Sequence, residues 1–143
     1  MWLLDTSALL KVTFNEPGAD HLDAMLIGRA DLAVSRLAMI EAIAATRKAQ
    51  REGRLRDEDA ELILDVWLGE HIDDLHVLPL NDEIAAATVR LIREIYPLPL
   101  RAADALHIQT ALHHQAARFV TADRQQANAA RFLGLDTFGV TPA

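Results

Sequence analysis

Very short apolar runs recur along this chain, and each hands over at once to a helical pattern. The first, Trp2-Leu3-Leu4, stops on a carboxylate and two hydroxyl residues, Asp5-Thr6-Ser7, before Ala8-Leu9-Leu10-Lys11-Val12 begins a helix. A run this short and this apolar suits a strand buried on both faces. Strands that alternate with helices build a mainly parallel sheet covered on both sides. In such sheets ligands lie beyond the carboxyl ends of the strands. Asp5 belongs at that rim, with Thr6 or Ser7 available to cap the helix. A second reading of Asp5 is that it is itself the N-cap.

The same alternation continues. Asn15-Glu16-Pro17-Gly18 is a turn, and Leu22, Met25 and Leu26 then recur at helical spacing up to Gly28, a C-cap. Leu32-Ala33-Val34 reads as a second strand, and Ser35 as the cap of a helix through Leu37–Ala45 that turns basic towards Arg56. Asp57-Glu58-Asp59 opens a further helix with acids at its favoured end. Its segment Leu62–Leu68 is apolar on more than one face, so part of it is expected to meet another chain. His76–Leu80 reads as a third strand, Asn81 as a cap, and Tyr96-Pro97-Leu98-Pro99-Leu100 as a stiff extended break. A helix over Arg101–Gln115, a fourth strand Arg118–Thr121 ending at Asp123, a short helix to Gly134 and a last strand within Leu135–Val140 complete the series. The expectation is one α/β domain over residues 1–143, with a mainly parallel sheet of four to five short strands flanked by helices.

Composition narrows the function classes. At 143 residues the chain can bury a full core, and no apolar run approaches membrane-spanning length. No charged, apolar leader precedes the first strand, so no signal peptide is expected. The chain has no cysteine, which excludes disulfides and thiolate–metal sites and suits a reducing cytoplasm. The net charge of −7 favours a cation or a basic partner over indiscriminate phosphate binding.

Three more acids stand out beside Asp5. Asp123 repeats its setting, at the end of a short apolar strand and the start of a helix. Eight of the nine residues from Leu37 to Ala45 are apolar, and Glu41 is the exception. Its neighbours three and four residues away are Leu37, Ala38, Ala44 and Ala45, which argues against an ordinary solvent face. Asp104 lies in the first turn of its helix, where an acid also complements the helix dipole. Gathered at the sheet rim, these acids repel one another. A pair about 4 Å apart costs about 1 kcal/mol in water and about 4 kcal/mol at an effective dielectric of 20. A hard dication relieves that repulsion, and oxygen donors suit Mg²⁺ or Mn²⁺, as one ion or two.

Leu4-Asp5-Thr6-Ser7-Ala8-Leu9, the isolated Glu41, Ala103-Asp104-Ala105-Leu106-His107 and Val120-Thr121-Ala122-Asp123-Arg124 together resemble the PIN-domain nucleases. In order and spacing they are most similar to the VapC-type toxins of bacterial toxin–antitoxin pairs, and the similarity spans essentially the whole chain. The resemblance implies an Mg²⁺-dependent endoribonuclease, a homodimer, and a cognate antitoxin through which alone DNA would be contacted. It implies no membrane association. By position Asp5, Glu41, Asp104 and Asp123 match the family's acids. Asp5 and Asp104 match as metal ligands, and Asp123 falls where the family varies more. Thr121 matches a hydroxyl position near the site, able to hydrogen-bond a carboxylate or a phosphate.

Two other classes compete. Aspartyl-phosphate phosphatases also place an Asp after the first strand, but they need a second Asp where this chain has Ser7. They also need a phosphate-supporting Lys, and none follows Lys48. A PIN-like scaffold that binds RNA or protein without cutting would be favoured by loss of an acid, and all four are present. Arg47, Lys48, Arg51, Arg54 and Arg56 form either a phosphate-facing edge or a solvated helix end. None of the six histidines is assigned to the site, although His107 lies one helical turn from Asp104.

Overall fold

The computed structural model describes residues 1–68 and 75–139, apart from the side chains of residues 66–68. Five strands form a single sheet: β1 (Trp2–Leu4), β2 (Leu32–Ser35), β3 (Leu75–Leu78), β4 (Arg118–Thr121) and β5 (Thr137–Gly139). Their order is β3-β2-β1-β4-β5, and all four pairings are parallel. The expected parallel sheet is therefore present, with β1 at its centre. The helices are α1 (Thr6–Thr13), α2 (Ala19–Leu26), α3 (Arg36–Arg51), α4 (Asp57–Leu68), α5 (Asp82–Ile95), α6 (Ala102–His113) and α7 (Arg124–Phe132). No helix among the described residues is long and apolar enough to cross a membrane.

Alternation along the strands divides the core in two. Leu3 and Phe119 point to one face, where they meet Leu91 and Ile95 of α5, Ile108 of α6 and Ala129 and Ala130 of α7. Leu4, Val34 and Val120 point to the other, against Leu9 of α1, Leu22 of α2 and Ala38, Met39 and Ala42 of α3. This period-2 division of an apolar strand is what a sheet covered on both faces requires. Phe119 is fully buried, and truncating such a residue to Ala costs about 3–5 kcal/mol.

The chain builds β2 and β3 outward on one side of β1, then crosses through α5 and α6 to build β4 and β5 on the other. The order of strands therefore reverses between β1 and β4. A crevice opens at such a reversal, beyond the carboxyl ends of the two strands. Leu4 and Thr121, the last residues of β1 and β4, bring Asp5 and Asp123 to that crevice.

Helix ends follow local chemistry. Ser35 caps α3 through the Leu37 amide at 3.1 Å, and Asn81 caps α5 through the Ile84 amide at 2.9 Å. Asp57, Glu58 and Asp59 occupy the first turn of α4. Gly18 and Gly28, with φ of 93° and 77°, flank α2 in a conformation that disfavours a side chain.

Several expectations change in detail. Tyr96–Leu100 is a turn rather than an extended break: the Tyr96–Pro97 bond is cis and the Leu98 amide donates to the Ile95 carbonyl at 2.9 Å. Leu98 and Leu100 fold back against the core. The third strand begins at Leu75 and stops at Leu78, so Pro79 and Leu80 lie outside it. In the Leu62–Leu68 segment Leu62 is exposed and Leu64 buried, while the side chains of Val66, Trp67 and Leu68, like Val140 at the end of the expected last strand, lie outside the described residues. Three of the five cations near the end of α3 are paired with acids: Arg47 with Glu61, Arg54 with Glu52 and Arg56 with Asp59. These pairs are solvent-exposed, as at a solvated helix end.

Candidate active site

Asp5 is both cap and cavity-lining acid. Its Oδ1 accepts from the Ala8 amide at 2.9 Å and from the Ser7 hydroxyl at 2.7 Å, while Oδ2 accepts from the Thr121 hydroxyl. Thr6 and Ser7, the alternative caps, do not cap α1; the carboxylate one residue earlier does. The side chain is almost wholly buried. Burial of a carboxylate is costly, and three donors, one of them at a helix N-terminus, offset much of that cost. Burial still pushes the Asp5 carboxyl above its ordinary range, with Thr121, Ser7 and the Ala8 amide pulling against it. A carboxylate offers about four lone-pair positions, so three bonds leave roughly one for another ligand. The same hydroxyls brace the strand ends: Ser7 accepts from the Ala122 amide at 2.9 Å and Thr121 from the Asp123 amide at 3.0 Å.

Glu41 reaches the cavity from α3. Its Oε1 accepts from the Thr6 hydroxyl at 2.7 Å and from His107 Nε2 at 2.9 Å. The hydrogen bond from His107 holds the Glu41 carboxyl below its usual range, aided by Thr6 and opposed by burial. Its Oε2 has no protein partner among the described residues. The solvent-face reading of Glu41 therefore fails, because the side chain is only about one-third exposed (35%) and is tied at one oxygen.

Asp104 and Asp123 share a cation. Arg101 Nε lies 3.3 Å from Asp104 Oδ2, and its Nη2 lies 3.5 Å from Asp123 Oδ2. Asp123 also caps α7, its Oδ1 accepting from the Gln126 amide at 2.9 Å. Burial pushes the Asp104 carboxyl above its usual range; Arg101 opposes that, and the charge of Asp123 adds to it. Buried Gln126 donates to the Asp104 backbone carbonyl at 3.2 Å, tying α7 to α6.

Asp5, Glu41, Asp104 and Asp123 thus line one cavity of about 220 Å³ at the β1/β4 reversal. A larger cleft of about 450 Å³ between the end of α1 and the helices α3 and α4 contains none of them. Among the described residues, no three acidic or histidine side chains stand close enough together to form a ready-made chelate. Mg²⁺ does not require one, since it keeps several waters and takes one or two carboxylates together with substrate phosphates. The donor set is all oxygen, and the Arg101 guanidinium already supplies positive charge between two of the acids. The residues fit a hard dication on that chemistry.

A family model described as the PIN domain matches residues 2–132. The chain belongs to the PIN domain family. No curated protein matches it. Among solved structures, VapBC2 from Rickettsia felis, bound to a DNA fragment from their promoter, is similar with a TM-score of 0.70 at 17% identity, covering 96% of this chain and 97% of that one. FitAcB from Neisseria gonorrhoeae is similar with a TM-score of 0.76 at 18% identity, covering 96% of each chain. VapC20 from Mycobacterium tuberculosis, described as a sarcin-ricin loop cleaving toxin, is similar with a TM-score of 0.70 at 11% identity, covering 90% of this chain and 95% of that one. These likenesses extend the PIN fold over almost the full chain.

Sequence reasoning missed His107, Arg101 and Gln126 as cavity residues. His107 does not turn to Asp104 across its helical turn; it turns to Glu41 and Thr6. The signal for it was present. His107 shares a buried stripe with Ala111, four residues on, just as Glu41 follows buried Ala38 by three residues. No comparable pattern marks Arg101, an exposed residue at a helix start.

Proposed function

We propose that this PIN domain is a metal-dependent endoribonuclease that hydrolyses RNA phosphodiester bonds. The observation that carries the reading is the convergence of four acids, two at strand ends capping α1 and α7 and two within helices α3 and α6, on one cavity at the sheet's reversal point. Asp5 and Asp104 are the residues that would hold Mg²⁺ or Mn²⁺, with Glu41 and Asp123 reaching it directly or through its waters. A bound dication supplies an activated water and charge neutralisation at the phosphate. Glu41, whose Oε2 has no protein partner among the described residues, could accept a proton from an attacking water. Arg101, 74% exposed at the cavity mouth, can leave its carboxylate partners for an incoming phosphate, which it matches as a planar donor.

The same reading makes the protein the toxin of a toxin–antitoxin pair, acting in the cytoplasm, homodimeric and silenced by a separate antitoxin. Val89 and Tyr96 on and beside α5 and Phe132 of α7 are exposed apolar side chains that support association with other chains. An antitoxin arm carrying an arginine would suit a cavity rimmed by carboxylates.

The test is incubation of purified protein with total cellular RNA, in Mg²⁺ or in EDTA, with mapping of the new RNA ends. Discrete cleavage sites that vanish in EDTA are expected. RNA left intact in Mg²⁺ and Mn²⁺, but bound, would favour the non-cutting scaffold.

A further inference from the structure

We propose that His107 is a positioning residue for this reaction: together with Thr6 it fixes the Glu41 carboxylate so that the second oxygen faces the cavity. The inference rests on the nuclease reading above and adds a residue to it.

His107 is 1% exposed, a polar side chain within the packed face of α6. Its Nε2 lies 2.9 Å from Glu41 Oε1 and 3.0 Å from the Thr6 hydroxyl, which itself donates to Oε1 at 2.7 Å. A carboxylate oxygen that already accepts the Thr6 proton can only accept again. Nε2 therefore carries a hydrogen, shared between Oε1 and the Thr6 oxygen. The other ring nitrogen, Nδ1, is buried with no partner among the described residues. For packing alone, an apolar side chain of similar size would fill this space without burying an unpaired nitrogen. What the imidazole adds is a fixed donor at one point.

The consequence is geometric. Glu41 leaves α3 as a long, partly exposed side chain with three rotatable bonds. Two donors on Oε1, from the first turn of α1 and the middle of α6, pin it from both sides. Oε2 is left as the free acceptor of a residue that lines the cavity together with Asp5, Asp104 and Asp123. This is the role of a residue behind a ligand, which orients it and typically matters by about 10- to 100-fold in metal affinity or rate.

The experiment compares parent, H107L, H107Q, E41Q and E41Q/H107L, with Mn²⁺ affinity by titration calorimetry, single-turnover RNA cleavage and a thermal melt of each. Glutamine places an amide N–H near the position of Nε2. H107L is expected to bind Mn²⁺ or cleave about 10- to 100-fold less well, with kcat falling and KM for RNA little changed. H107Q is expected to recover most of that loss, and H107L is expected to add almost nothing on the E41Q background. If H107L does not fold, T6V removes the other donor to Oε1, and a loss that disappears on the E41Q background is again expected. An active parent whose H107L variant matches it in affinity and rate overturns this proposal alone. So do equal losses in H107L and H107Q, or a full multiplicative loss in the double variant. A parent that neither binds Mn²⁺ nor cleaves RNA overturns the nuclease reading and this proposal together.

Discussion

Asp104→Asn should make the metal-free protein more stable at neutral pH, because the acid is held ionised where ionisation is unfavourable. The Asp104 side chain is only 15% exposed, and Asp123 is gathered by the same guanidinium. At an assumed separation of about 7 Å, two carboxylates repel by about 0.6 kcal/mol in water and about 2.4 kcal/mol at an effective dielectric of 20. Against that relief stands the lost pair with Arg101, a solvent-exposed cation whose contribution is at most about 1 kcal/mol. The net gain is about 1 kcal/mol, or about 3 °C in melting temperature for a domain of this size. The sign with pH follows from the raised carboxyl. An acid whose folded pKa lies above its unfolded value costs the parent stability as pH rises through that interval. The advantage of Asn is therefore absent below the ordinary carboxylate range and complete at pH 7. Thermal melts of both proteins in EDTA from pH 4 to pH 8 measure it. Mg²⁺ at ten times its dissociation constant should raise the parent by about 1.4 kcal/mol and the variant by less. A variant that melts lower in EDTA at pH 7, or whose advantage is the same at pH 4, refutes the reasoning.

Glu41→Gln should act in the opposite direction: its carboxyl is held below its usual range, so it stabilises at neutral pH and that stability is lost as pH falls through the folded value. Because the group is one-third exposed, the loss at pH 7 in EDTA should be less than about 1 kcal/mol, and a Gln variant more stable than the parent would contradict it. Thr121→Val removes the donor to Asp5 Oδ2 and the acceptor for the Asp123 amide, one buried and one part-buried bond whose loss costs about 2–4 kcal/mol by chemical denaturation. Thr121→Ser should restore most of it; equal losses in Val and Ser would mean that packing of the methyl group, not the hydroxyl, matters there.

Most of the frame was legible because short apolar strands and helix caps are local signals. Trp2–Leu4 and Arg118–Thr121 each end on an acid that caps the next helix, so strand end, helix start and site residue coincide at Asp5 and Asp123. Glu41 was legible as the one charge in an apolar helix face. What the sequence could not carry was pairing across the fold. Arg101 meets Asp123 only because α6 and α7 converge, and His107 meets Glu41 only because α3 and α6 flank the same crevice. The partners of the basic run after Arg47 were hidden for the same reason: its acids arrive from the facing helix α4 and from the turn between the two. The Tyr96–Leu100 segment was misjudged because two prolines suggest an extended chain, whereas the apolar Leu98 and Leu100 draw it back onto the core.

The central claim is that these acids serve divalent metal in one cavity. Crystals soaked in Mn²⁺ and measured at the manganese absorption edge test it most directly, because the ion reports its own position. The account predicts an anomalous peak inside the cavity, bound to Asp5 or Asp104 with the remaining acids reached directly or through water, and lost in Asp104→Asn. A peak found only elsewhere, such as at the acidic start of α4 around Asp57–Asp59, or no peak in the cavity at saturating Mn²⁺, would contradict it.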